Sequence, residues 1–141
     1  NVRNFEFEKD VKSISHRYFE FVLLSVTKIV AKRFRDGEEP MTLNEMSDKY
    51  RIPLRLASVI VRRLCKAGIL TEVRIDERDA YMPAMDVNRI TVATFFDMVD
   101  RAGQETFKLE QLDEFASVWE YTLNIRESLM SVSGDKLVMD L

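Results

Sequence analysis

The stretch TLNEMSDKYRIPLRLASVIVRRLCKAGILTEVRIDERDAYMP, from Thr42 to Pro83, decides how the rest of the chain reads. Thr42 and Glu45 stand at capping-box spacing, in which each side chain satisfies the other's orphan backbone N–H, so a helix starts at Leu43 and runs to about Tyr50. Pro53 disfavours helical geometry at Ile52 and then opens the next helix as its first residue. That helix, over 54–67, sets Leu54, Ala57, Val61 and Leu64 on one face and ends at Gly68, a natural left-handed cap. Residues 69–75 switch to a period of two, 76–79 make a turn, and Ala80-Tyr81-Met82 is the return strand. Helix, turn, helix and ribbon in that order form a winged helix-turn-helix. The fold class is mainly α with a small β-ribbon, flanked by long N- and C-terminal helices.

Outward from this centre the chain divides into an arm or linker over 1–12, the winged helix-turn-helix over 13–103, and a C-terminal helix and tail over 104–141. The arm alternates Phe5 and Phe7 with Glu6 and Glu8. A long helix begins at Ser13 or Ser15, carries Ile14, Tyr18, Phe21, Val22, Ile29 and Val30 at helical spacing, and ends in the basic run Lys32-Arg33-Phe34-Arg35, where the helix dipole favours cations. After the wing, Thr91 caps a helix with Val92, Phe95, Phe96 and Val99 inward, ended by Ala102-Gly103. The last helix is expected from the 105–109 region to about Met130. Its apolar residues Leu109, Leu112, Ala116, Trp119, Leu123 and Met130 follow steps of three and four broken only by Arg126, which is a coiled-coil-like seam. The seam serves either packing within the chain or a dimer. Residues 131–141 read as a frayed tail.

Composition bounds the function. With 141 residues, 46% hydrophobic and 32% charged, the chain has an ordinary globular balance and no run apolar enough to span a bilayer. No signal peptide is visible, and the chain opens on Asn1, which fits a domain excised from a longer one. The net charge of −3 hides an asymmetry: residues 1–70 hold 14 Lys/Arg against 9 Asp/Glu, residues 71–141 hold 7 against 15. Cys65 is the single cysteine, so no disulfide framework and no cysteine-based zinc or iron–sulfur site forms within one chain. His16 is the single histidine, and Glu20 one turn on makes a solvated pair with it rather than a metal site. With four glycines there is no phosphate-cradling loop, and the paired carboxylates fall in loops or on exposed faces. No catalytic constellation, metal or cofactor is read.

Nucleic-acid contact is the obvious use of this fold, through Arg55 and Ser58 at the start of the second helix and Arg62, Arg63 and Lys66 further along. Against it stands the wing tip Asp76-Glu77-Arg78-Asp79, three acids to one base, which opposes the phosphate term that supplies most non-specific affinity. On that ground the five residues are assigned to a partner of either kind, DNA or protein.

The segment Ile14-Ser15-His16-Arg17-Tyr18, the helix ending Lys32-Arg33-Phe34, and the later Ile52-Pro53-Leu54-Arg55-Leu56, Leu64-Cys65-Lys66-Ala67-Gly68-Ile69-Leu70 and Tyr81-Met82-Pro83 resemble the soluble tail of the YihY/BrkB family of bacterial inner-membrane proteins, once labelled ribonuclease BN-like. The resemblance implies a non-catalytic winged-helix module on the cytoplasmic face of the inner membrane, acting through protein contact or regulation, with Lys28, Lys32, Arg33 and Arg35 near anionic lipid. The same middle is similar to redox-sensing, iron–sulfur-type bacterial repressors, whose long dimerisation helix follows the wing. Those proteins hold their cluster with cysteines between wing and last helix, where this chain has none. The alternative reading is therefore a dimeric, cluster-free transcription regulator binding DNA through Arg55, Ser58, Arg62 and Lys66. A third is a small-molecule sensor with its pocket between the first helix and Phe95-Phe96.

Overall fold

A computed structural model describes residues 11–141; the arm with Phe5 and Phe7 lies outside the described residues save its last two positions. The scaffold is helix α1, His16–Arg35. It starts where the Ser15 hydroxyl accepts the Tyr18 N–H at 3.2 Å, and it buries Val22, Leu23, Val26, Val30 and Ala31. Thr27 on the same face hides its hydroxyl by donating to the Leu23 carbonyl at 2.9 Å.

A two-residue strand, β1 (Met41–Thr42), then leads into α2 (Leu43–Tyr50). The capping box forms as expected: Thr42 Oγ1 accepts the Glu45 N–H at 3.2 Å and Glu45 Oε1 accepts the Thr42 N–H at 3.3 Å. Arg51 closes α2 in the left-handed region at φ 59°, and Pro53 stands just ahead of α3 (Leu54–Lys66) rather than within it. The buried face of α3 is Leu56, Ala57, Ile60, Val61 and Leu64. Leu54, expected on that face, is turned out and 49% exposed.

The wing is β2 (Leu70–Ile75) paired antiparallel with β3 (Arg78–Pro83). Ile75 faces Arg78, so the turn is the two residues Asp76 and Glu77 rather than four. β1 adds to the other side of β3 through Met41 opposite Tyr81, giving the order β1-β3-β2. A strand of two residues carries no periodicity, which is why the sequence did not announce it.

Thr91 caps α4 (Val92–Arg101), its hydroxyl accepting the Thr94 N–H at 3.0 Å. Phe95 is fully buried and meets Phe96 edge-on at 5.2 Å, so these aromatics fill the core rather than line a sensor pocket. The last helix, α5, runs Asp113–Ser133. It begins later than expected because Lys108 takes φ 58°, residues Leu109–Gln111 form a 3-10 turn and Leu112 is extended.

The tail is not frayed. The Val92 N–H donates to the Lys136 carbonyl at 2.8 Å and the Val138 N–H to the Ile90 carbonyl at 3.0 Å. Val138 and Met139 are buried against α1 in the same core as Phe95 and Met46.

Candidate nucleic-acid interface

Burying Leu56, Ile60, Val61 and Leu64 turns the opposite face of α3 outward. Arg55, Arg62 and Lys66, separated by seven and four residues, stand on that face one above another. All three are exposed. Ser58 lies beside them, half-buried, and its hydroxyl accepts from Arg62 Nη2 at 3.4 Å. Arg63 does not join the row: its guanidinium sits 5.4 Å from the centre of the Phe19 ring on α1, a cation–π contact that ties α3 to the scaffold. Of the five residues assigned to partner contact, four therefore share one open face.

Two bases the sequence reading left out flank this face. Arg51 is exposed at the joint between α2 and α3, and Arg78 is exposed at the first position of β3. Between the wing and the two helix starts runs a groove of about 340 Å³ lined by Thr42, Leu43, Asn44, Leu54, Arg78 and Asp79.

The wing is less acidic in effect than its composition. Arg74 reaches Asp79 at 3.2 Å and donates to the Glu77 carbonyl at 3.0 Å, so one acid of the tip is already paired. At the base of the wing, Tyr81 donates to Glu72 Oε2 at 3.4 Å; burial first, then the Glu72 charge, pushes its phenol up to about 12. The same two causes raise the Cys65 thiol, so at neutral pH the one cysteine is held protonated and weakly nucleophilic.

The basic end of α1 is engaged internally. Arg33 bonds Glu45 at 2.7 Å and donates to the Glu39 carbonyl; Arg35 pairs with Asp36 at 3.2 Å and Asp140 at 3.4 Å; Lys28 donates to the Leu141 carbonyl. Three of the four bases read as lipid-facing thus hold the α2 cap and the docked tail. No helix among the described residues is long and apolar enough to cross a membrane, and no group of three His, Cys, Asp or Glu among them could hold a metal ion.

The second surface is α5, which has no buried residue among those described. The expected seam splits. Leu109 and Leu112 precede the helix and Ala116 is exposed, while Trp119 and Leu123 face α4 across a groove of about 790 Å³ walled by Asp97, Asp100 and Arg101. Arg126, which seemed to break the seam, pins α5 to α4 through Asp100 at 3.1 Å. The most exposed apolar line is another one, Phe115, Val118, Ile125, Leu129 and Val132, with Leu129 at 64% and Val132 at 85%. Its steps of three, seven, four and three are as regular as those of the first seam; two adjacent seams blur each other on a helical wheel, and only one was read.

No family model matches the chain, and no curated protein matches it in sequence. Solved structures do. IscR of T. potens superposes with a TM-score of 0.60 at 20% identity, over 91% of this chain and 84% of that one. CymR (YrzC), the global cysteine regulator of B. subtilis, gives 0.53 at 20% identity over 91% and 94%, and the oxidized form of Staphylococcus aureus CymR gives 0.56 at 16% over 90% and 93%. The fold is a winged helix, the one these solved structures share.

These likenesses correct the YihY/BrkB resemblance and the membrane-module reading built on it. The superpositions cover about nine-tenths of this chain, more than the segments that carried that resemblance, and one of the matched structures is named a global regulator. The segments themselves are helix ends and helix-to-strand joints that many winged helices share.

Proposed function

We propose that this chain is a dimeric winged-helix transcription regulator that binds duplex DNA without a metal or cofactor and catalyses no reaction. The observation that carries the reading is the exposed row of Arg55, Arg62 and Lys66 along α3, beside a wing, in a fold shared with CymR, a protein named a global cysteine regulator. α3 enters the major groove, Arg62 and Lys66 meet phosphates, and Arg51 and Arg78 extend the cationic track to either side. Ser58 positions Arg62 through their hydrogen bond.

The acidic balance of the chain does not oppose this. Of the 15 acids in residues 71–141, four lie in the wing (Glu72, Asp76, Glu77, Asp79), and most of the rest belong to α4, α5 and the loop between them. α5 packs chiefly on α4, not on the α2–α3 pair.

The dimer rests on the Phe115–Val132 line of α5. A contiguous apolar stripe of that length marks a protein interface, and a two-fold partner supplies the same stripe in return. Leu109, Leu112, Ala116, Trp119 and Leu123 form its flank. A pair of α3 helices related by this axis would meet half-sites about one duplex turn apart, some 34 Å.

An electrophoretic shift with random duplex tests the reading. Binding at low salt that weakens steeply as salt rises supports it; no shift at low salt overturns it.

A further inference from the structure

Leu54 lies outside the core. It sits on the first turn of α3 and is 49% exposed, and it is absent from both the buried core and the partly buried residues packed against it. Instead it lines the groove between the helix starts and the wing, with Thr42, Leu43 and Asn44 on one side and Arg78 and Asp79 on the other. The core-facing residues of α3 begin at Leu56, and that choice of rotation is what turns Leu54 outward.

We propose that Leu54 reads a thymine methyl in the major groove while Arg55 reads a guanine on a neighbouring base pair, so that the half-site contains a T and a G side by side or one pair apart. This rests on the DNA reading above. A leucine gains nothing from phosphate, and on the floor of the major groove the one apolar group offered by the four bases is the C5-methyl of thymine. The first turn of the second helix is where that fold brings side chains to base edges. Arg55, the next residue, carries the paired donors that match guanine O6 and N7. Within the leading turn Leu54 and Arg55 are the two side chains that differ most in what they recognise, one purely apolar and one a paired donor.

The test begins with selection of duplexes from a random pool by the full chain, followed by affinity measurements on the selected duplex and two analogues. Replacing each thymine in turn by deoxyuridine removes only the methyl. At one position per half-site this is expected to weaken binding about fourfold, the transfer value of one buried methyl-sized group. Replacing the guanine by 7-deazaguanine removes N7 alone and is expected to weaken binding at least about fivefold. In Leu54→Ala the deoxyuridine effect should vanish and the 7-deazaguanine effect persist; in Arg55→Ala the reverse. Both positions are exposed, so both variants should melt as the parent does, which circular dichroism verifies. Equal affinity for thymine and deoxyuridine duplexes, or a deoxyuridine effect that survives in Leu54→Ala, overturns the inference. Salt-dependent binding with no selected sequence overturns it too but leaves the DNA reading standing, whereas no binding to any duplex overturns both.

Discussion

At Glu45 two demands meet in one carboxylate. It closes the α2 capping box with Thr42 and accepts the Arg33 guanidinium at 2.7 Å, joining the start of the helix-turn-helix to the end of α1. Thr42→Ala removes the cap and should cost about 1 kcal/mol in chemical denaturation. For Glu45 itself, burial raises the carboxyl pKa, but the hydrogen bonds from Thr42 and Arg33 with the Arg33 charge outweigh it, and the net shift is below the ordinary 4.5. A group whose folded pKa is depressed contributes stability that is present above its unfolded pKa and lost as pH falls through the folded value. Urea midpoints measured from pH 6 down to pH 3 should therefore fall more steeply below about 4.5 for the parent than for Glu45→Gln. The Thr42–Glu45 pairing was legible because it is a fixed spacing between two residue types. Leu54 was not, because an apolar residue three before one core position, Ala57, and seven before another, Val61, fits the pattern whether or not it is buried.

The wing turn and α5 show what can be read of whole elements. Asp76 and Glu77 both take positive φ, at 50° and 64°, in a two-residue hairpin turn of the kind that favours Asn-Gly. Asp76 tolerates that backbone but Glu77 stands where glycine is favoured, so the sequence suggested a longer turn, and pairing of Ile75 with Arg78 decided otherwise. Asp76→Asn with Glu77→Gly should raise stability by about 1 kcal/mol, since left-handed backbone costs an L-residue about that much. The same pair removes two negative charges from the tip and should tighten duplex binding at low salt. On α5 the seam was visible but its facing was not, because a helix with apolar residues on two neighbouring stripes gives no direction from sequence alone. Ile125→Glu and Leu129→Glu fall on the outward stripe, where both side chains are exposed. Light scattering should find each variant monomeric at concentrations where the parent is a dimer, with the melting of the winged-helix body unchanged; a parent that is already monomeric would remove the dimer.

For the molecule as a whole, the wing's acid count pointed away from DNA, and the arrangement of charge points toward it. A sum over residues weights Asp79 like any other acid, although Arg74 holds it, and weights the carboxylates of α4 and α5 as though they faced the same ligand as α3. What a polyanion meets is the field at one face. If Arg62 and Lys66 each neutralise a phosphate, Arg62→Ala or Lys66→Ala should lower the slope of log affinity against log salt by about 1 per site and weaken all sequences alike. A slope unchanged in both variants would remove them from the contact. The order of elements from α1 to α5 was readable because capping boxes, proline and a change of period mark it locally. The path of the tail was not, since Lys136 and Val138 pair with Val92 and Ile90, more than forty positions back, and nothing within a window of sequence reports that.

That docked tail has a mechanical meaning. α5 leaves the body beside α4 and comes home against α1, so it is a handle riveted at both ends rather than a free arm. Val138 and Met139 fix the far end of the handle on α1, and Arg33 fixes α1 to the first turn of α2, so the handle and the helix-turn-helix are mounted on one beam.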